Sequence, residues 1–184
     1  MSLPKGYLLP FQLISQLNKP VIAAVNGICC GGGLELALSA DLILASEQAT
    51  FALPEINSGT IADAATLKLP RRVPYHVAMD LLLTGRWMDA IEAHHWGLVN
   101  ETVPHDQLNV RANELADSLA DGPPLVYAAI KEVLRESESL AFQRALDQIT
   151  GRKIPSVDRL YSSDDQLEGA RAFSEKRKPL WRGR

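Results

Sequence analysis

Three consecutive glycines, Gly31-Gly32-Gly33, stand between a short apolar run, Val21–Val25, and a segment of helical composition, Leu34–Ala40. No other feature limits the folding of the chain as much. A continuous apolar run of five residues suits a strand buried on both faces, and parallel strands need a crossover between them, usually a helix. Glycines at the strand-to-helix corner let another chain or a ligand come close to the backbone. Leu42–Ala45 reads as a second buried strand. The first third is therefore strand, glycine turn, helix, strand: an α/β pattern with parallel strands.

Further along, Phe51–Gly59 reads as an irregular loop punctuated by Pro54 and Gly59. Helices are expected near Tyr75–Thr84 and over Met88–Trp96, the latter capped by Asp89 and ended by Gly97. Others are expected from Asp106 to about Ala120 and near 125–136, 139–150 and 163–176. In the last of these Ser163 and Gln166 form a capping box, and Leu167, Ala170 and Phe173 lie along the expected apolar face. Composition shifts from sheet-forming to helical near residue 67. Residues 1–66 thus read as an α/β core and 67–184 as a helical region, one continuous unit rather than two independent domains.

Several function classes drop out. The net charge is −3 and no cluster of Lys and Arg is interleaved with aromatics, so nucleic acid is not an expected partner. The basic C-terminal run, Lys176, Arg177, Lys178, Arg182 and Arg184, reads as a solvated tail. Cys29 and Cys30 are adjacent, a poor disulfide geometry, and read as small buried hydrophobes in a reducing compartment. There is no secretory signal pattern and no run near the ~20 apolar residues of a membrane helix, so a soluble cytoplasmic protein is expected. His76, His94, His95 and His105 match no metal-ligand spacing, and no metal is expected.

Chemistry concentrates around the glycines. A turn opening a helix aims backbone N–H groups outward at the positive end of the helix dipole. No Gly-Lys-Ser/Thr follows, and Gly27, Gly31, Gly32 and Gly33 do not fit G-x-G-x-x-G, so neither phosphate-binding motif applies. An oxyanion-type site remains, in which an N–H stabilises charge developing on a carbonyl oxygen; a tight corner is the plainer alternative. Glu35 sits in the first helical turn, where acids favour the dipole in any case. Glu55 follows Pro54, where a solvated loop carboxylate would serve equally. Together they make more sense. One carboxylate taking a proton from water, another serving Cα, and an N–H holding an enolate oxygen are what adding water across a conjugated thioester requires.

At this point the chain resembles the enoyl-CoA hydratase/isomerase (crotonase) family. The resemblance rests on Lys19-Pro20-Val21-Ile22-Ala23-Ala24-Val25-Asn26-Gly27, on Gly31-Gly32-Gly33-Leu34-Glu35-Leu36-Ala37-Leu38 and on Asp41. Phe51-Ala52-Leu53-Pro54-Glu55 with Gly59, Leu83-Thr84-Gly85-Arg86 and Trp96-Gly97-Leu98-Val99-Asn100 extend it over nearly the whole chain after residue 11. It implies a crotonase-like spiral of β-β-α units followed by a helical trimerisation region. It also implies Glu35 and Glu55 as the acid–base pair and Gly32 as an oxyanion-hole donor, in a hydro-lyase acting on a 2-enoyl-CoA or 3-hydroxyacyl-CoA. No metal or redox cofactor is implied, since coenzyme A belongs to the substrate, and a homotrimer or hexamer is the implied assembly. The tail, from Ser163 to Gly169 and from Ala172 to Arg177 on through Pro179, Trp181 and Gly183-Arg184, looks most like carnitinyl-CoA dehydratases; by that likeness Phe173 and Lys176 could approach the CoA adenine end, of their own or a neighbouring subunit, a core Phe and a surface Lys being the alternative. Two departures stand out. Members carry a substantial portion ahead of Lys19-Pro20, so the resemblance implies an N-terminally incomplete chain, and the glycine pair expected after Gly59 is replaced within Thr60–Thr66, where Asp63 falls. An enoyl-CoA isomerase and an acyl-CoA-binding subunit without turnover are the competing readings.

Overall fold

The computed structural model describes residues 10–184. Packing divides them into two units, 10–16 with 21–116 and 17–20 with 117–184. The first unit opens with helix α1, Pro10–Gln16, and then builds two three-stranded sheets by turns. Strand β1, Ile22–Val25, enters one sheet; β2, Ile28–Cys30, enters the other; helix α2, Gly32–Ala37, follows. The cycle then repeats. Strand β3, Leu42–Ser46, lies parallel to β1 with Ala23 opposite Ile43, and β4, Thr50–Ala52, lies parallel to β2 with Cys29 opposite Phe51. A 3-10 turn over Pro54–Ser58 leads to helix α3, Asp63–Lys68. After helix α4, Tyr75–Thr84, strand β5, Met88–Asp89, pairs antiparallel to β4. Helix α5, Ala90–His95, precedes strand β6, Glu101–Val103, which extends the first sheet parallel to β3.

The strand order is β1-β3-β6 in one sheet and β2-β4-β5 in the other. Alternating strands between two sheets creates one interior that both can fill. Phe51, Leu34, Leu38, Leu53, Leu69, Leu81 and Met88 fill it and are almost fully buried. Each such side chain contributes about 1.5–3 kcal/mol by leaving water. Leu44, Val103 and Leu108 form a second small cluster beside β3 and β6.

Within the first unit three expectations are corrected. The segment read as a loop over Phe51–Gly59 is the end of β4 followed by the 3-10 turn, because Phe51 is the side chain the core closes around. Met88 and Asp89 are not helical: they pair with β4, and Asp89, extended at the N-cap, accepts the Glu92 N–H at 2.8 Å. The two cysteines differ, Cys29 being buried and Cys30 only half-buried.

Helix α6, Leu108–Ala120, leads into the second unit, which is helical. Helices α7, Pro124–Ser137, α8, Phe142–Thr150, α9, Pro155–Tyr161, and α10, Asp164–Ser174, follow in turn. Ala129, Ile154 and Val157 form the centre of this unit. Helix α9 was not expected, although Pro155 occupies a first-turn position that proline favours. In α10 the expected apolar face is outward: Leu167 is 49% and Phe173 88% exposed, while Asp165 and Ala172 are buried. The C-terminal segment explains this. Its basic residues Lys176, Arg177, Lys178, Arg182 and Arg184 are exposed, while its backbone folds back so that the Asp165 carboxylate accepts the Arg182 and Gly183 amides at 2.8 Å each, and Trp181 lies against Gly169.

Arg177 completes the anchorage through two bonds to Glu168, at 2.5 and 3.0 Å, while the Leu180 amide donates to the same carboxylate at 2.8 Å. Arg177 first, and the Leu180 amide second, pull the Glu168 carboxyl down from its ordinary 4.5 to about 2. A depressed carboxylate contributes stability above its unfolded-state value and loses it as pH falls through its folded-state value. Between pH 4.5 and about 2 the segment is therefore expected to release from α10, read as rising amide exchange at Leu180. Unchanged exchange at Leu180 across that window would remove the Arg177–Glu168 pair as its fastening.

Among the described residues, no helix is long and apolar enough to cross a membrane.

Candidate active site

The corner between β2 and α2 has the geometry the glycines require. Gly31 caps α2 at φ 53° and ψ −126°, a conformation that residues with a Cβ rarely adopt. Its amide donates to the Ala52 carbonyl at 3.0 Å, tying the corner to the end of β4, and the Glu35 amide returns to the Gly31 carbonyl at 3.0 Å. The next residue, Gly32, is exposed, and among the described residues no acceptor pairs with its amide.

The two glutamates stand on different elements. Glu55 stands at the start of the 3-10 turn, delivered by the buried strand β4, and its carboxylate lies over Gly31. A Cβ on Gly31 would fall 2.8 Å from Glu55 Oε1. Glu55 Oε2 is buried and has no hydrogen-bond partner. An orphaned buried acceptor is costly, about 1–3 kcal/mol or more when charged, and it points to a group that something else is meant to satisfy.

Glu35 is 8% exposed although ionisable. Its Oε1 accepts the amides of Ala64 at 2.6 Å and Ala65 at 3.1 Å, in the first turn of α3. A carboxylate at that end of a helix satisfies donors that have no partner inside the helix and complements its dipole. The hydrogen bonds that satisfy this buried carboxyl oxygen come from the backbone.

Two further groups stand on the elements that carry this site, Cys29 on β2 and Lys68 on α3. Cys29, 6% exposed, ends one residue short of the β2 terminus, and its thiol is pushed up to about 11, first by burial and then by its neighbour Cys30. Lys68, the last residue of α3, donates from Nζ to Ser39 Oγ at 2.7 Å and to Ser15 Oγ at 2.9 Å. Ser39 in turn donates to the Glu35 carbonyl at 2.7 Å.

The sequence-predicted residues therefore separate. Gly32, Glu35 and Glu55 belong to the first unit: Gly32 and Glu35 stand in the helix that Gly31 caps, the Glu55 carboxylate lies over Gly31, and the Glu35 carboxylate is held at the start of α3. Phe173 and Lys176 belong to the second unit, at the end of α10, where Lys176 adopts a left-handed φ of 53°. Asp63 opens α3 and is exposed. What sequence reasoning missed is the pair of amides at Ala64 and Ala65, since no side chain announces a backbone donor. The start of α3 carried one signal, the acid Asp63 in its first turn. Among the described residues no group of three or more His, Cys, Asp and Glu could hold a metal ion.

Comparison with known proteins gives concordant matches. The family described as enoyl-CoA hydratase/isomerase matches residues 3–184. A carnitinyl-CoA dehydratase of Proteus mirabilis is 45% identical over 169 residues, covering 91% of this chain and 65% of that protein. One from Citrobacter koseri is 43% identical over 172 residues, covering 93% and 66%. Among solved structures, an enoyl-CoA hydratase from Bacillus anthracis superposes with a TM-score of 0.86 at 35% identity, over 95% of this chain and 66% of that one. The chain spans 65–66% of the length of these curated relatives.

Proposed function

Because the chain belongs to the enoyl-CoA hydratase/isomerase family and has its crotonase fold, we propose that it carries the acid–base centre of a hydro-lyase acting on acyl-CoA thioesters. The observation that carries this reading is a carboxylate lying over the glycine corner from which the helix bearing a second, buried carboxylate starts. Glu55 lies against Gly31, and Glu35 stands in the helix that Gly31 caps. In hydration, one carboxylate takes a proton from water as its oxygen bonds to Cβ of the 2-enoyl group, and the other delivers a proton to Cα. The Gly32 amide holds the thioester oxygen while it bears negative charge. A donor of that kind is worth about 10²–10³ in rate. The unpartnered Oε2 of Glu55 supports the reading, being an acceptor set in a buried place with nothing yet to accept. Coenzyme A enters as part of the substrate.

The 45% identity to a carnitinyl-CoA dehydratase favours a narrower version, dehydration of carnitinyl-CoA to crotonobetainyl-CoA and its reverse. By the resemblance of the tail, Phe173 and Lys176 meet the adenine end of CoA. An aromatic side chain 88% exposed and a lysine held at positive φ are what such a contact would explain. Self-association into trimers is proposed with it, and Phe142 and Leu134, 81% and 66% exposed on α8 and α7, supply apolar surface for that contact.

One set of measurements tests these points together. The chain is expected to discharge the absorbance of the conjugated thioester when mixed with crotonyl-CoA, and faster with crotonobetainyl-CoA. Lys176→Ala is expected to raise KM without lowering kcat, and light scattering to give three times the chain mass. Absence of turnover with both thioesters would count against the hydro-lyase reading. A scattering mass of one chain would remove the assembly.

A further inference from the structure

Lys68 is a half-buried cation that the chemistry above does not use. Desolvation is the first of the influences lowering its pKa, Arg72 adds to it, and Glu35 opposes both. A methionine of similar length would occupy the same space without the cost of taking an ammonium out of water. What lysine adds is directed donors, and the donors have particular targets. One reaches Ser39 Oγ at 2.7 Å, and Ser39 Oγ itself donates to the backbone carbonyl of Glu35 at 2.7 Å. The second reaches Ser15 Oγ in α1 at 2.9 Å.

The connections form a closed circuit between two six-residue helices. At the start of α3, the amides of Ala64 and Ala65 hold the Glu35 carboxylate, which projects from α2. At the end of α3, Lys68 returns to Ser39, two residues beyond the end of α2. A helix this short has marginal stability of its own and is placed by its contacts. Without Lys68 the far end of α3 would be tied only by the apolar burial of Leu69 beside it, which has no directional bond, so the helix could shift and the two amides would move with it.

We propose that Lys68 is a positioning residue for Glu35: through Ser39 it clamps the far end of α3 and so fixes where the Ala64 and Ala65 amides hold the carboxylate. The inference rests on the reading of Glu35 as an acid–base group for its effect on turnover, but not for its effect on the amides. Lys68→Met keeps the bulk and removes the donors. Lys68→Arg restores donors, and Ser39→Ala breaks the same circuit one step further on.

Amide exchange decides the question whether or not the chain turns over. In Lys68→Met, exchange at Ala64 and Ala65 is expected to rise about tenfold while amides of β1 and β3 keep their protection, a local opening and not a global one. Lys68→Arg is expected to bring the two amides back toward the wild-type rate. In an active preparation, kcat on crotonyl-CoA falls about tenfold with KM unchanged, the cost of a displaced group. Ser39→Ala gives the same loss, and the double variant is no worse than either single one. Unchanged exchange at Ala64 and Ala65 overturns the proposal, as does uniform acceleration across the unit, or a kcat unaffected while Glu35→Gln abolishes it. If Glu35→Gln itself leaves kcat intact, the acid–base reading fails and the exchange result alone decides the role of Lys68.

Discussion

Glutamine in place of either Glu35 or Glu55 is expected to lower kcat on a conjugated CoA thioester by about 10²–10⁴, the usual worth of a positioned general acid or base. The two substitutions differ in what else they disturb. Glu35→Gln would keep a carbonyl oxygen that can accept the Ala64 and Ala65 amides, so α3 has reason to stay in place while proton transfer is lost. At position 55 the oxygen without a partner could become an amide nitrogen, equally buried and equally unpaired. Some loss of stability is expected there in addition to the lost chemistry. The measurement is kcat and KM for each variant beside a urea unfolding curve. Comparable losses in both variants, with KM little changed, would support a two-carboxylate hydratase. Loss in only one, with much of the activity surviving in the other, would favour the isomerase reading.

The second large effect is expected from a single methyl group. Gly31→Ala forces a Cβ into a backbone conformation at φ 53° and ψ −126°, which costs about 1–3 kcal/mol. It also places that Cβ 2.8 Å from Glu55 Oε1, closer than real contacts come. Either the corner or the carboxylate must shift. Moving a reacting group by about 1 Å can cost about 10²-fold in rate, so kcat is expected to fall by at least that amount together with the unfolding free energy. Gly27→Ala is the control, because a Cβ there meets nothing within 4 Å and the residue has no positive φ. If Gly31→Ala behaves like Gly27→Ala in both assays, the close packing of Glu55 on the glycine corner is not part of the working site.

Much of this architecture could be read from the sequence. The apolar runs of β1 and β3, the glycine corner and the cap at Asp89 stand near where the sequence puts them, because each depends on local rules: buried pairing, backbone freedom and a side chain reaching its own helix. The parts not legible depend on partners distant in the chain. Strand β2 has three residues, and its first, Ile28, is 78% exposed, so no periodicity marks it; its pairing with β4 defines it. Phe51 looked like part of a loop because Pro54 and Gly59 are near, yet it is fully buried. In α10 the inward stripe includes Asp165 and Ala172, a face that hydrophobic patterning assigns outward, because the returning C-terminal segment sets its chemistry. For the site, the two glutamates are visible as residue types. The amides that hold Glu35 could belong to any residue, and for that reason the sequence does not single them out.

The state of Cys29 has a consequence for the proposed substrate. A 2-enoyl thioester is a Michael acceptor, and a thiolate beside its path would add to the double bond in competition with water. Burial keeps Cys29, two residues from Gly31, protonated up to about pH 11. The strand that presents the glycine corner thereby holds that one sulfur as the thiol, the form that does not add to such a double bond.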